Sequence, residues 1–258
     1  MPVNPIVRVL EEVASTNDEV RALGLAGAPH GASVAARRQT AGRGRRGHAW
    51  ASPKGNLYLS VLLRPSVPPS KLPGLAAACG LGVLDGLADI ELANAPQLKW
   101  PNDILARGRK LGGILVEAGR DVTGDTFAVC GVGVNVEHAP TDLGAISLAD
   151  LGATPSLSAL SERLREGIVA RADAWAAAGG IEPLAGIRDE YVSALAWRGE
   201  KVHVLAPNGT LLTCGSFETV DLWGRAVVDG VAYASELASL RPPTHDAKGA
   251  GPACGTGA

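Results

Sequence analysis

Apolar and polar positions change period several times along the chain, and each change marks an element. IVRVLEEV (6–13) and SVAARRQ (33–39) are β-type runs, and NLYLSVLLR (56–64) is a longer one ended by Pro65. Between the first two, STNDEV (15–20) lets Ser15 or Thr16 cap a helix reaching about Ala26, with Asp18 and Glu19 near its positive end. Residues 70–89 read as helix and QLKW (97–100) as a short strand. RKLGGILVEAG followed by TFAVCGVGVNVE predicts an antiparallel hairpin, and helical patterns return at 156–178 and 182–196. Around Trp197 the texture shifts to short β runs punctuated by glycine, among them EKVHVLA, GTLLTCG and ETVDLWG. That texture suits a small barrel. The order predicts an α+β fold with a mixed or antiparallel central sheet backed by helices over 1–195. A small all-β barrel is expected over 196–242 and a disordered, glycine-rich tail over 243–258.

Composition narrows the function classes. Basic and acidic residues number 24 and 26, a net charge of −2, which counts against a nonspecific nucleic-acid binder. Aromatics make up only 4%, so Ala, Val and Leu must fill the core. The cysteines at 79, 130, 214 and 254 form no CxxC pair and suit free thiols in a reducing cytosol rather than a zinc site or disulfide frame. The start lacks a basic region followed by a long apolar one. LPGLAAACGLGVLDGLADI (72–90), interrupted by Asp85 and glycines, reads as a core helix rather than a membrane span. A cytoplasmic protein without a membrane anchor is expected.

Three stretches carry candidate chemistry. GRGRRG (42–47) permits close backbone approach, and successive N–H groups with guanidinium forks suit a phosphate; a plain exposed turn or a nucleic-acid arm is the alternative. In KWPNDI (99–104), Pro101 ends a short strand, so Asn102 and Asp103 project from a turn. There they either ligate Mg²⁺ or bond a purine or ribose, or they merely cap local backbone. RKLGGILVE (109–117) sets Lys110 before Gly112 and Gly113, and GVGVNV (131–136) again leaves one strand face bare. Such a face admits a flat ligand or a close-packed helix. The five histidines are scattered, and Ser52 and Ser60 lack a nucleophile-elbow context. Together these residues describe one pocket with a lysine, several arginines and an Asn–Asp turn, suited to stabilising phosphate chemistry without a covalent nucleophile.

Taken in order, STN (15–17), QTAGRGRRGHAW (39–50), NLYLS (56–60), KWPND (99–103), KLGGILVE (110–117) and GVGVN (131–135) resemble the biotin protein ligases over roughly residues 6–240. The resemblance implies a class II synthetase-like, biotin/lipoate-ligase-type catalytic domain and a C-terminal Src-homology-type barrel. It implies ATP-dependent formation of biotinyl-5′-AMP, with Mg²⁺, then transfer to a lysine of a biotin carboxyl carrier domain. By similarity, Ser15, Thr16, Asn17 and Gln39 line the biotin site, with Gly112 and Gly113 beside it and Arg43, Gly44 and Arg45 closing over it. Lys110 serves both the carboxylate and the phosphate. Arg43, Arg45, Trp50, Lys99, Asn102 and Asn135 take the nucleotide, and Asp103 acts through Mg²⁺ or the acceptor lysine. Lys110, Arg45 and Asp103 are the expected catalytic set. The arginine loop is expected to be disordered when empty and ordered by an anion.

Some members carry an N-terminal winged-helix domain. Here the first catalytic strand begins near residue 6, so a short form without DNA-binding regulation, monomeric or weakly dimeric, is expected. His48–Ala49 departs from the more basic pair expected before the tryptophan. Two other readings stand beside this one: a lipoate or octanoate ligase or transferase on the same fold, and a nucleic-acid module using the arginine loop.

Overall fold

Seven of the β runs assemble into one sheet because their apolar residues alternate onto two faces that helices cover. The computed structural model describes residues 7–140 and 144–243; the tail expectation falls almost entirely outside them. In chain order the first part comprises β1 (Arg8–Leu10), α1 (Thr16–Leu25), β2 (Ser33–Ala36), β3 (Leu57–Leu63), α2 (Leu75–Ala88), β4 (Gln97–Lys99), β5 (Asp103–Ala106), β6 (Arg109–Arg120) and β7 (Thr126–Val134). Helices α3 (Leu157–Ala177) and α4 (Arg188–Ser193) follow. The sheet order is β1-β2-β3-β7-β6-β5-β4, with β1–β2 parallel and the other pairs antiparallel.

Strand β3 is buried along its whole length and shows how the sheet divides the molecule. Leu57, Leu59, Val61 and Leu63 enter the main core beneath α2 and α3, whereas Leu62 faces a smaller cluster with Val20 of α1. Side chains of a strand alternate, so Tyr58 and Ser60 share the α1 side. On β7, Cys130, Val132 and Val134 join the main core, Phe127 and Val129 the smaller one, and Gly131 and Gly133 continue that second face. Helices α2 and α3 pack backbone to backbone. A Cβ on Gly82 would lie 2.4 Å from the Gly167 oxygen, and one on Gly167 would come closer still to the Gly82 oxygen.

The C-terminal runs form β8 (Lys201–Leu205), β9 (Leu211–Val220), β10 (Ala226–Val228), β11 (Val231–Tyr233) and β12 (Ser239–Arg241), an antiparallel sheet in the order β11-β10-β9-β8-β12. Val202, Val204, Phe217 and Val220 join the main core, so the two sheets share one apolar interior. Trp100 is buried against this second sheet, its indole N–H donating to the Gly224 carbonyl at 2.9 Å.

Four sequence expectations change. The 182–196 helix shrinks to α4 because Pro183 and Gly186, at φ +81°, interrupt the helical backbone before Arg188. The 70–89 helix starts at Leu75, after a 3-10 turn holding Pro73. Asp103 is the first residue of β5, not a turn residue, and pairs across to Lys99 and Gly113. Cys79 and Cys130 are buried free thiols as expected, but Cys214 is disulfide-bonded. Among the described residues no helix is long and apolar enough to cross a membrane.

Candidate active site

Every residue that the resemblance gives a site role lines one cavity of about 620 Å³, except Gly112. That volume suits a small organic ligand together with a nucleotide fragment. Gly112 is a correction with a simple cause. Only one residue of a neighbouring pair on a strand can face the site. A Cβ on Gly112 would point at the Gly133 oxygen and the Ile104 side chain in the core, while Gly113 faces Trp50. A register shift between Ile104 and Leu105 breaks the alternation just upstream, where Lys110 reaches the cavity.

One wall is neutral and polar. Ser15 occupies the N-cap position of α1, yet its hydroxyl makes no capping bond. Gln39 Oε1 accepts from the Thr16 amide at 2.8 Å and the Thr16 hydroxyl at 3.1 Å, and Gln39 Nε2 donates to Ser52 Oγ at 3.0 Å. Ser60 Oγ lies 2.8 Å from Thr16 Oγ1 and 2.6 Å from Asn17 Oδ1. Asn17 fills the space left by Gly131, where a Cβ would be 2.1 Å from Asn17 Oδ1. The Trp50 indole lies against Gly133, where a Cβ would be 2.7 Å from Nε1. The flat group that the bare strand face was expected to admit is therefore the protein's own tryptophan.

A second wall is charged. Asp103 sits between two ammonium groups, with Lys110 Nζ 2.6 Å from Oδ1 and Lys99 Nζ 2.9 Å from Oδ2. Burial alone would raise the Asp103 carboxyl; the two lysines override it and hold it below the usual carboxylate range. Lys110 also lies 5.1 Å from the Trp50 ring centre, and Lys99 lies 5.7 Å from that of Trp197. Both Asp103 oxygens face cations, which does not fit the expected Mg²⁺ ligand. Among the described residues no group of three His, Cys, Asp or Glu side chains could hold a metal ion. Asn102 Nδ2 donates to the Ile114 carbonyl, and Asn135 Nδ2 to those of Lys110 and Ile146, so these amides also brace the cavity's backbone.

The arginine loop folds over the cavity with its guanidinium groups engaged. Arg43 grips Asp18 through both terminal nitrogens, at 2.8 and 2.6 Å. Those bonds hold the Asp18 carboxyl below its ordinary value. Arg45 donates to the Ser235 carbonyl and hydroxyl, and Arg46 to the carbonyls of Ser235 and Glu236, tying the loop to the second sheet's segment. Burial, with Arg46 alongside, pulls the Arg45 guanidinium below its usual value. Arg46 takes φ 57°, which lets the short 3-10 turn Arg45–Gly47 reverse the chain. The loop's arginines thus find partners instead of only repelling one another, and a free arm for nucleic acid does not fit them. Replacing Asp18 with Ala should raise the rate of tryptic cleavage at Arg43–Arg46 about fivefold, the upper range for losing an exposed ion pair. An unchanged digestion rate would show that the Arg43–Asp18 pair does not hold the loop.

Sequence reasoning missed Asp18 as a loop partner, Ser52 and Ser60 as polar struts, and Ser235 as the loop's far anchor. Ser60 left a signal: it is a serine in the middle of a buried apolar strand, where an unpartnered hydroxyl is costly.

The comparisons agree with this geometry. Residues 9–135 match the model of the Biotin/lipoate A/B protein ligase family, which defines the class of fold and site. Within it, the chain is 38% identical over 230 residues to the biotin–[acetyl-CoA-carboxylase] ligase of Mycobacterium tuberculosis, covering 86% of this chain and 82% of that one. The enzyme of that name from Paracoccus denitrificans is 35% identical, covering 87% of this chain and 94% of its own length. A biotin protein ligase from Aquifex aeolicus, solved in complex with biotin and ATP, superposes with a TM-score of 0.76 at 26% identity, covering 92% and 99% of the two chains. The chain belongs to the biotin–[acetyl-CoA-carboxylase] ligase family and is a ligase.

Proposed function

We propose that the cavity activates biotin with ATP, and that the chain then transfers biotin to a lysine of a carboxylase's biotin carboxyl carrier domain. In the first step the biotin carboxylate oxygen attacks the α-phosphorus of ATP, forming biotinyl-5′-AMP and releasing pyrophosphate. In the second, the ε-amine of the acceptor lysine attacks the mixed anhydride, forming an amide and releasing AMP. The observation that carries the reading is the arrangement of Lys110, paired to Asp103 and poised over Trp50, opposite a neutral wall of Ser15, Thr16, Asn17 and Gln39.

Two anions must meet in the first step. Lys110 and Arg45 offset the charge that gathers on the carboxylate and phosphate oxygens, and they act most strongly as it builds. ATP enters as its magnesium complex, so the cation belongs to the substrate. Asp103 orients Lys110 and Lys99 and stands where the acceptor amine would enter. Trp50, Arg43, Asn102 and Asn135 line the cavity, and in this reading they take the nucleotide. The neutral wall serves the ureido ring, whose fused rings are apolar but whose N–H and C=O groups need fixed partners. The loop shields the adenylate, which water would otherwise hydrolyse. We place the enzyme in the cytoplasm, as a monomer or weak homodimer, with residues 1–195 and 196–242 as catalytic and accessory units.

The test is pyrophosphate exchange into ATP. Exchange should require biotin, and lipoate should not replace it. Exchange supported by lipoate or octanoate but not by biotin would move the chain to the other branch of the family.

A further inference from the structure

At its Asn17 end the polar wall has a direction that Asn17 and Ser60 cannot set between themselves. Thr16, Ser60 and Asn17 form a chain of contacts, Thr16 Oγ1 to Ser60 Oγ at 2.8 Å and Ser60 Oγ to Asn17 Oδ1 at 2.6 Å. A hydroxyl donates or accepts equally well, and an amide turned by 180° exchanges donor for acceptor. At the Thr16 end Gln39 Oε1, which accepts from the Thr16 amide, also takes the Thr16 hydroxyl proton; at the other end nothing in Ser60 and Asn17 alone selects one arrangement. Glu117 breaks the tie. It lies on β6, on the same face as Gly113, and its Oε2 accepts from Asn17 Nδ2 at 2.6 Å. An ionised carboxylate only accepts. Were the Asn17 amide turned round, its carbonyl oxygen would face that carboxylate, an arrangement both unbonded and repulsive.

We propose that Glu117 is a positioning residue that fixes which way the Asn17 amide faces, and through it the direction of the Ser60 hydroxyl. With Nδ2 held by Glu117, Asn17 Oδ1 takes the Ser60 proton, while the Thr16 proton goes to Gln39 Oε1. The cavity then meets a cyclic urea with one fixed pattern of donors and acceptors instead of two. Glu117 does not line the cavity and touches no ligand. Its other neighbour is Arg43, 3.9 Å away, which spends its fork on Asp18. The ligand named here rests on the biotin reading above.

The experiment measures pyrophosphate exchange by the full chain, with KM for biotin and ATP determined separately. Glu117→Gln keeps the shape but restores an amide that donates or accepts. It should raise KM for biotin about tenfold, the size associated with a hydrogen bond to a charged group. Its kcat, KM for ATP and Tm should stay within about twofold or a few degrees of wild type, as for a local change away from the core. In an Asn17→Ala background the same substitution should add nothing, because the residue acts only through that amide. Unchanged KM for biotin, a matching rise in KM for ATP, or an undiminished effect without Asn17 would each overturn the assignment. A wild-type chain lacking biotin-dependent exchange would instead overturn the biotin reading, and with it the ligand given to Asn17.

Discussion

Replacing Lys110 with Ala should cut the rate of adenylate formation by about 10²–10³, the usual cost of one preorganised donor aimed at developing charge. The fold should survive. Asp103 keeps Lys99 at 2.9 Å, so removing Lys110 leaves no unpaired buried carboxylate, and the Lys110 side chain is itself 38% exposed. What disappears is a cation held by Asp103 and by the face of Trp50, at a position open to the cavity. Because that cation stabilises the transition state more than bound biotin, kcat should fall more than KM for biotin rises. Pyrophosphate-exchange kinetics, with circular dichroism to verify folding, measure both. Wild-type rates in a folded variant would remove Lys110 from the chemistry.

The second large effect concerns stability. Gly82→Val should destabilise the chain by about 3 kcal/mol, at the high end for overpacking a close-packed interior. The new Cβ would lie 2.4 Å from a backbone oxygen of α3, which unlike a side chain has no rotamer by which to move away. At roughly 2–4 °C per kcal/mol for a chain of this size, Tm should drop by about 6–12 °C. The α2–α3 seam lies on the far side of the sheet from the cavity, so molecules that remain folded should keep their KM for biotin. A melting temperature equal to wild type would mean that the helices separate without cost; a selective loss of biotin affinity would place the seam nearer the site than the structure does.

How much was legible in the sequence depends on whether the deciding force is local. Strand β3 was readable because seven consecutive buried residues form a β run ended by a proline, and both strands of the β6–β7 hairpin were readable for similar reasons. The motifs found the cavity because each carries its chemistry within a few residues. Strand β5 was missed because Asp103 looks like a turn residue until its pairing with Lys99 and Gly113 is known. Gly112 was misplaced because a Gly-Gly pair does not reveal which member faces the ligand; the strand's register decides. The partners of Asn17 and Arg43 were hidden for the same reason. Glu117 lies 100 residues from Asn17 in the chain and Asp18 lies 25 from Arg43, and only the assembled sheet brings them together.

The alternation along β7 has a consequence for how this chain can change length. Gly131 and Gly133 seat Asn17 and Trp50, while Cys130, Val132 and Val134 between and beside them fill the core. A single residue gained or lost within the strand would exchange the two sets, turning valines into the seats and glycines into the interior. The Asp121–Asp125 turn before it is different. Its tip, residues 122–124, is exposed, and Thr123 bonds to Asp121 and Asp125 while Arg64 holds the Asp121 carboxylate, so the tip can lengthen without moving that register. A change of length in this hairpin is therefore accommodated at its tip and not within the strands behind it.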